Sequence, residues 1–457
     1  MAEQYQTINP ASGELIAKFP MSSELEVLTS LEIAHECFNT TWRRCSIANR
    51  AKILTRAADI LMENMEEHAR LITQEMGKLI EQSRREVQVS ADILKYYADH
   101  AESFLKPFEK PSQKATIYSE PIGVILAIEP WNFPYSQLAR VAGPQMMAGN
   151  VLLVKPAPST PQCALAFARV IHEAGCPKGV YTNLFCSIDQ INTLIDDFRV
   201  RGVTLTGSER AGSAVAERAG RNLKKTVLEL GGSDAAVILE DANMDIAIQL
   251  SLKARLITMG QNCAASKRFI VIGKDRTDAF ISSLASQLSK LVPGEPTDIA
   301  TTLGPLGSQR SLDIILEQVS TSRAHGARVI SGGKRIDCKG FYMEPTIITN
   351  ISPTNPLFAQ ETFGPVFSIY TAANESEAVS IANATKFGLG ASVYSDDEEN
   401  AHRIGGLLDC GMVFVNGPPL LSAEMPWGGV KNSGYGRELG GELGIMEFVN
   451  KKMIRLF

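Results

Sequence analysis

One cysteine of this chain lies in a segment that could support nucleophilic chemistry. The segment Gly260-Gln-Asn-Cys263-Ala-Ala-Ser-Lys-Arg268 places the thiol between a glycine turn and small residues, followed by two cations and a predicted strand. Lys267, Arg268 or a helix N-terminus at this point would favour the thiolate and lower the cysteine pKa from its free value of about 8.5. A buried structural cysteine is the commoner outcome for an isolated thiol, and the spacing alone favours that alternative.

Two further polar residues follow predicted buried strands. Glu229 lies near the end of the apolar run Lys225-Thr-Val-Leu-Glu229-Leu-Gly-Gly232. Burying such a carboxylate is costly unless it is paired or protonated, so burial raises its pKa. A raised pKa suits a general base near neutral pH. The alternative is a Glu229 that forms an ion pair or points outward. Asn132, in Glu129-Pro-Trp-Asn132-Phe-Pro134, could donate an N–H to a developing oxyanion, although a rigid proline turn would look the same.

A third motif is typical of an anion site. Val203-Thr-Leu-Thr-Gly-Ser-Glu-Arg-Ala-Gly212 predicts a strand, a tight Gly207-Ser208 turn and the start of a helix. Backbone N–H groups and the positive end of a helix dipole at such a turn suit a pyrophosphate. Ser208 is also a good N-cap, and the glycine spacing does not reproduce the G-x-G-x-x-G fingerprint, so both interpretations stay open.

The elements that must position these residues follow from hydrophobic periodicity. Apolar residues recur at three- and four-residue steps from Ile47 to Ile72, which predicts one helix that ends at Gly77, and the first hundred residues are mostly helical. From Gly123 onward, short apolar runs alternate with helical stretches, which indicates βαβ units and parallel sheets. The predicted fold class is α/β with two successive α/β domains. The expected strands lie at 124–128, 151–154, 181–185, 203–205 and 227–230, and then at 235–239, 269–272, 328–330, 367–371 and 412–415.

Composition excludes several classes of function. The 457 residues carry 44% hydrophobic and 21% charged residues and a net charge of -5, with no block of like charge, so the sequence predicts neither nucleic-acid nor membrane binding. We expect a small-molecule partner and a cytoplasmic location, because the N-terminus lacks a signal peptide pattern. The eight cysteines and six histidines show no Cys-x-x-Cys or His-Glu-x-x-His spacing, which predicts reduced thiols and no metal site.

Taken together and in order, seven motifs resemble the aldehyde dehydrogenase superfamily, and the resemblance covers nearly the whole chain. The motifs are Pro130-Trp-Asn-Phe-Pro134, Lys155-Pro156, Thr206-Gly207-Ser208, Glu229-Leu-Gly-Gly232, Gly260-Gln-Asn-Cys263, Glu361-Thr-Phe-Gly-Pro365 and Pro426-Trp-Gly-Gly-Val-Lys431.

The resemblance implies a Rossmann-type cofactor domain at 1–104 and 122–231, a catalytic domain at 232–430, and a small β oligomerisation element at 105–121 and 440–457. It implies a homodimer or homotetramer. It makes Cys263 the nucleophile, Glu229 the base and Asn132 the oxyanion donor together with the Cys263 N–H. Cofactor contacts are expected at Trp131, Lys155, Pro158, Ser159, Gly207, Ser208, Leu230, Glu361 and Phe363.

The cofactor and substrate can be predicted further. Many NAD-preferring relatives have Lys-Pro-x-Glu where this chain has Lys155-Pro-Ala-Pro158-Ser159. Without the glutamate, Lys155 and Ser159 could bind a 2′-phosphate, so NADP is favoured over NAD.

Arg140 and Ser422 match positions that succinate semialdehyde dehydrogenases of the family use, which predicts succinate semialdehyde as the substrate. A second arginine that some of them have is Ile257 here, and a salt bridge across the domain surface is the alternative for Arg140. The competing hypotheses are an enzyme for uncharged or medium-chain aldehydes and a catalytically silent protein on the same fold.

Overall fold

A computed structural model describes residues 4–457. Its α-helices are Glu24–Thr40 (α1), Ile47–Glu63 (α2), Met65–Met76 (α3), Ile80–Phe104 (α4), Ser136–Ala148 (α5), Pro161–Glu173 (α6), Ile188–Asp196 (α7), Glu209–Arg221 (α8), Met244–Leu256 (α9), Lys274–Leu288 (α10), Gln309–Ala324 (α11), Glu375–Asn383 (α12), Glu398–Gly405 (α13) and Glu442–Ile445 (α14). Its strands are Tyr5–Ile8 (β1), Leu15–Phe19 (β2), Phe108–Lys110 (β3), Ala115–Pro121 (β4), Val124–Ile128 (β5), Val151–Lys155 (β6), Tyr181–Asn183 (β7), Val200–Thr206 (β8), Lys225–Glu229 (β9), Asp234–Ile238 (β10), Ser266–Ile272 (β11), Arg328–Ser331 (β12), Thr346–Thr349 (β13), Val366–Ala372 (β14), Phe387–Gly388 (β15), Gly390–Tyr394 (β16), Met412–Val415 (β17), Val430–Lys431 (β18), Gly434–Tyr435 (β19) and Val449–Arg455 (β20).

The first of the two large sheets has six strands in the order β19-β9-β8-β5-β6-β7. The five strands from β9 to β7 are parallel, and β19 pairs antiparallel with β9. Because helices cover both faces, β6 is buried along its whole length, as its unbroken apolar run indicates. The chain runs from β5 to β7 in one direction and then returns to β8 and β9 on the other side of β5. The strand order therefore reverses between β5 and β8, and ligands of open α/β sheets bind outside the strand ends at such a point.

The second large sheet has seven strands in the order β12-β13-β14-β11-β10-β16-β17. All neighbours are parallel except β12 and β13. Two separate hydrophobic clusters, one around Phe269 and Phe280 and one around Ile270 and Val393, cover its two faces. The segment that carries Cys263 lies between α9 and β11, so this sheet fixes the nucleophile candidate. The α/β fold class predicted from the sequence is confirmed.

A third sheet is built from distant parts of the chain. The C-terminal strand β20 pairs with β4, and β4 pairs with β3, so the sheet joins segments of 105–121 and 440–457. Residues of β20 from Asn450 to Arg455 are exposed, and so are the apolar side chains of Met453, Ile454 and Leu456. The two-stranded ribbons β1-β2 and β15-β18 complete the sheets of the described chain.

One predicted helix is wrong, and the predicted strands are incomplete. The apolar stripe that begins at Ile47 forms two helices instead of one, because the backbone of Asn64 leaves the helical region at φ −116°, ψ 28° and α3 begins at the next residue. Gly77 does end α3, in the left-handed conformation with φ 80°. Seven strands were not predicted, namely β1, β2, β13, β15, β16, β18 and β19, whereas the ten predicted strands all overlap strands of the structure.

Candidate active site

Cys263 is held in a tightly braced turn. The preceding residues Thr258 and Met259 have left-handed backbones with φ of 55° and 53°, and Gly260 follows with φ of 76°. A Cβ on Gly260 would lie 2.4 Å from the carbonyl oxygen of Gly364, so only glycine fits there. The fully buried Arg255 guanidinium donates to the carbonyls of Val366 at 2.7 Å and Thr362 at 2.6 Å, which ties this turn to the 361–366 loop.

Glu229 ends strand β9 and reaches the thiol. The Cys263 Sγ lies 3.5 Å from Glu229 Oε2, and both side chains are buried. Burial raises the pKa of Glu229 to about 7, against the attraction of Arg140, and the negative charge of Glu438 raises it further. The other carboxyl oxygen, Glu229 Oε1, has no hydrogen-bond partner among the described residues. The carboxyl group can therefore exchange protons near neutral pH with a sulfur in contact, which is what a general base requires.

The pKa of Cys263 moves in the opposite direction to the one that the sequence suggested. Burial raises the pKa of the thiol well above its usual value, the charge of Glu229 adds to this rise, and Arg140 and Lys267 oppose it without outweighing it. Arg268 faces away, because its guanidinium donates to the carbonyls of Ser233 at 2.8 Å and Ala382 at 2.7 Å. The thiol is therefore the resting form, and a proton acceptor in contact is needed to make it nucleophilic.

Asn132 lies in the loop that follows β5, and it is buried. Its Nδ2 donates to the carbonyl of Gln261 at 3.0 Å, two residues before Cys263. Two hydrogen bonds fix the Gln261 side chain. Its Nε2 donates to the Thr258 carbonyl at 3.0 Å, and its Oε1 accepts from the Gly307 N–H at 2.8 Å. An amide nitrogen carries two N–H groups, so Asn132 can brace this turn with one and donate to a reacting oxygen with the other.

Two cavities meet at Cys263. The first has a volume of about 450 Å³ and lies outside the ends of β5, β8 and β9, where the strand order of the six-stranded sheet reverses. The second has a volume of about 310 Å³ and lies between α4, α5 and the loop before β18. Cys263 lines both cavities, so the sulfur can contact two different ligands at once.

The first cavity is lined by most of the residues that the family resemblance assigns to the cofactor. Six of the nine expected cofactor residues line it: Trp131, Gly207, Ser208, Leu230, Glu361 and Phe363. Ser208 is the N-cap of α8, where its side chain accepts from the Ala211 N–H at 3.3 Å, so the N-cap interpretation is confirmed. The N-terminus of α8 suits a phosphate. Gly212 has a packing role instead, because a Cβ at this position would lie 2.5 Å from the Leu230 side chain.

The other three expected cofactor residues lie one strand further along the sheet. Lys155 ends β6 and Pro158 and Ser159 follow in the next turn, so none of them lines the first cavity. The Lys155 Nζ donates to the Pro156 carbonyl at 3.3 Å and lies 5.5 Å from the centre of the Tyr5 ring. Their position beside the carboxyl end of β5 is compatible with the far end of an extended dinucleotide.

Glu361 is pre-positioned by a cation behind the catalytic turn. Lys267 Nζ lies 3.1 Å from Glu361 Oε1, and the Gly232 N–H donates to the same oxygen at 3.2 Å. Lys267 Nζ also donates to the Asn262 carbonyl at 3.0 Å. One buried cation therefore joins Glu361, an expected cofactor contact, to the backbone of the nucleophile segment.

The second cavity contains Arg140 but not Ser422. Arg140 is buried on α5, and its Nη2 lies 2.8 Å from Glu438 Oε2 and 3.7 Å from Glu229 Oε2. Arg140 thus forms a salt bridge, but the pair is buried and not at the domain surface where the alternative expected it, and the residue also lines the cavity. The Ser422 hydroxyl accepts from the Glu424 N–H at 3.3 Å in a turn, while its neighbour Leu421 lines the cavity.

The sequence analysis missed a cluster of buried carboxyl groups around Arg140. Glu438 accepts from the Thr206 hydroxyl at 3.0 Å. Glu129 is buried with both carboxyl oxygens unpartnered among the described residues, and burial raises its pKa well above the usual value, with the charge of Glu438 adding to the effect. Glu438 follows β19, whose pairing with β9 joins residues about two hundred positions apart, so no local pattern could have indicated it.

Two findings concern other kinds of site. Across residues 4–457, no three His, Cys, Asp or Glu side chains are grouped so that they could hold a metal ion. In the same part of the chain, no helix combines the length and the apolar character that crossing a membrane requires.

Comparison with known proteins identifies the family. Residues 1–454 match the Aldehyde dehydrogenase family. A succinate-semialdehyde dehydrogenase [NADP(+)] of Deinococcus radiodurans is 42% identical over 455 residues, which are 99% of this chain and 95% of that protein. The structure of Gox0499 superposes with a TM-score of 0.97 at 46% identity, covering 99% of this chain and 100% of that one. The succinic semialdehyde dehydrogenase of Streptococcus pyogenes in complex with NADP+ superposes with a TM-score of 0.96 at 42% identity, covering 99% of each chain. The chain therefore belongs to the aldehyde dehydrogenase family and is an NAD(P)-dependent aldehyde dehydrogenase.

Proposed function

We propose that this enzyme oxidises succinate semialdehyde to succinate with NADP, through a thioester on Cys263. The observation that carries the proposal is the position of the Cys263 sulfur, which lies 3.5 Å from the Glu229 carboxyl group at the junction of two cavities. The names of the relatives described above support the substrate and the cofactor. Experimentally, the proposal predicts that succinate semialdehyde gives the highest kcat/KM in a panel that also contains glutarate semialdehyde, butyraldehyde and benzaldehyde, each with NAD and NADP.

The first step is nucleophilic addition. Glu229 takes the proton of the Cys263 thiol, since the carboxyl group has a pKa of about 7 and the two groups are in contact. The thiolate adds to the aldehyde carbon, and the carbonyl oxygen becomes an oxyanion. Asn132 donates an N–H to that oxygen, and such a donor is worth about 3 to 4 kcal/mol in the transition state.

The second and third steps are oxidation and hydrolysis. The cavity residues Trp131, Ser208 and Glu361 would hold the oxidised cofactor, which would supply a hydride acceptor beside Cys263, so that loss of hydride from the adduct would leave a thioester on the sulfur. Glu229 releases the thiol proton to solvent and, ionised again, accepts a proton from a water molecule, and the resulting hydroxide attacks the thioester carbon. Cys263 leaves as a thiolate and is reprotonated, and the acid is released. The buried Glu229 gives this site a base for water, which favours hydrolysis over transfer of the acyl group to another thiol.

The NADP preference rests on the loop that follows β6. Pro158 stands where an acidic residue would repel a 2′-phosphate, and Lys155 and Ser159 supply a cation and a hydroxyl at the same edge of the sheet. A fixed carboxylate would favour the free ribose hydroxyls of NAD instead. Steady-state measurements with both cofactors test this, and a hundredfold preference for NAD would contradict it.

Arg140 supports a substrate that carries its own carboxylate, because an arginine offers two parallel N–H donors. Arg140→Ala should raise the KM for succinate semialdehyde much more than the KM for butyraldehyde, and equal effects would refute a direct contact. The second candidate is an enzyme for uncharged, medium-chain aldehydes. The pairing of Arg140 with Glu438 and the apolar lining at Phe133, Leu420 and Trp427 favour that candidate.

We further propose that the protein is a cytoplasmic homodimer or homotetramer assembled through the three-stranded sheet. The exposed edge and apolar side chains of β20 support this, because uncovered strand edges pair readily with another chain. Light scattering coupled to size exclusion measures the oligomeric state, and a monomeric enzyme with full activity would contradict the assembly.

A further inference from the structure

Three cations line the cavity that leads to Cys263 on the substrate side, and two of them are already neutralised. Lys78 is buried, forms an ion pair with Glu86 and lies 3.8 Å from the centre of the Phe133 ring. Arg140 is buried and lies 2.8 Å from a carboxyl oxygen of Glu438. A substrate carboxylate that approaches either cation competes with a carboxylate of the protein itself.

The third cation is Arg85, and its charge is uncompensated. Arg85 is exposed and lines the cavity, and no described residue forms a hydrogen bond or ion pair with it. Glu81, one turn earlier on α4, also lines the cavity, but its carboxylate forms an ion pair with Arg84. Arg84 also donates a hydrogen bond to Glu66 on α3 at 3.0 Å. The acidic group nearest in sequence is therefore engaged by a different arginine.

Helix geometry explains why Arg85 and not Arg84 faces the cavity. Residues three and four apart share one face of a helix, and the cavity is lined from α4 at positions 81, 82, 85, 86 and 89. Arg84 lies between these positions and points to α3. Across the cavity, position 257 carries isoleucine and adds no charge.

We propose that Arg85 is a further specificity-determining cation beside Arg140: its guanidinium, at the mouth of the cavity, attracts the free carboxylate of the substrate while the aldehyde carbon lies at Cys263. This inference rests on the proposed function, since it assumes a substrate with a carboxylate. Arg85 takes no part in the chemistry at sulfur. Its removal therefore acts on binding, and only on the binding of an anionic aldehyde.

The test compares two aldehydes of equal carbon number in wild-type enzyme and in Arg85→Gln, with NADP saturating. For Arg85→Gln we expect the KM for succinate semialdehyde to rise about tenfold, with the kcat little changed and the kcat/KM for butyraldehyde unchanged. Arg85→Lys should recover part of the loss, because the charge is kept while the bidentate fork is lost. Lys95→Gln is the matched control: it removes one exposed positive charge from the same helix, outside the cavity, and should leave both aldehydes unaffected.

The outcomes separate the two proposals. If wild-type enzyme turns over both aldehydes with similar kcat/KM, the proposed substrate fails and the role of Arg85 fails with it. If wild-type enzyme prefers succinate semialdehyde and Arg85→Gln keeps that preference, the proposed function stands and the role of Arg85 is refuted. An equal loss for both aldehydes in Arg85→Gln would also refute it, since a general structural effect does not discriminate by substrate charge.

Discussion

The ionisation of Glu229 should set the acidic side of the pH–rate profile, and two neighbouring residues should move that limit in opposite directions. With a pKa of about 7, about half of the Glu229 carboxyl groups are ionised at neutral pH. At about pH 6 the ionised fraction falls to about one tenth, so kcat should fall about tenfold below its plateau. The charge of Glu438 raises this pKa and that of Arg140 lowers it. Glu438→Gln should therefore shift the acidic limb to lower pH and Arg140→Gln to higher pH, each by about one pH unit.

The assay is the saturated rate of NADPH formation with butyraldehyde from about pH 5.5 to about pH 9, because an uncharged aldehyde keeps any carboxylate contact of Arg140 out of the comparison. The fitted value is an apparent pKa of the coupled carboxyl groups and not of Glu229 alone, but the direction of each shift is independent of that assignment. Shifts in the same direction for both variants, or a wild-type profile that is flat from about pH 5.5 to about pH 8, would show that Glu229 is not the group whose ionisation limits the rate.

Three further changes have defined outcomes. Asn132→Ala should lower kcat by about a hundredfold to a thousandfold without loss of NADP binding, measured by fluorescence titration, and a loss below tenfold would remove Asn132 from the oxyanion site. Glu229→Gln should stabilise the protein at alkaline pH. The Glu229 carboxyl group has a pKa near 4.5 in the unfolded chain and about 7 in the folded protein. Its contribution to the free energy of unfolding therefore falls by about 3 kcal/mol as the pH rises between these two values. The Tm of Glu229→Gln relative to wild type should thus rise from about pH 5 to about pH 8, and a constant difference would contradict the raised pKa. Gly260→Ala should lower Tm by about 2 °C or more, because φ is 76° at this position and the new Cβ would lie 2.4 Å from a carbonyl oxygen. Gly220→Ala in α8 is the control: no atom outside this helix lies within 4 Å of the new Cβ, so Tm should not fall.

The sequence predicted those site residues whose position depends on short-range order. Glu229 is the last residue of one parallel strand and Asn132 follows another, and the carboxyl ends of neighbouring parallel strands meet at one edge of a sheet. Their proximity could therefore be expected once the strands were identified. The family resemblance added Cys263, whose role the spacing alone did not favour.

The residues that the sequence did not reveal depend on long-range packing. Glu438 reaches Arg140 only because β19 adds to the edge of the six-stranded sheet beside β9. The predicted direction of the Cys263 pKa shift was wrong. The sequence shows two nearby cations, which would lower the pKa, but it does not show the burial that raises the pKa and outweighs them. The break at Asn64 was missed since the apolar stripe continues through it on the same face. The position of Glu438 and the burial of Cys263 depend on tertiary contacts that periodicity does not encode.

The claim on which the account depends is that an acyl group is held on Cys263 before water releases it. Acid quenching of wild-type enzyme during turnover of succinate semialdehyde with NADP, followed by peptide mass spectrometry, detects that group directly. We predict one succinyl group on the peptide that contains Cys263, and neither adduct nor turnover in Cys263→Ala. Turnover by Cys263→Ala, or an acyl group on any of the other cysteines in place of Cys263, would contradict the account.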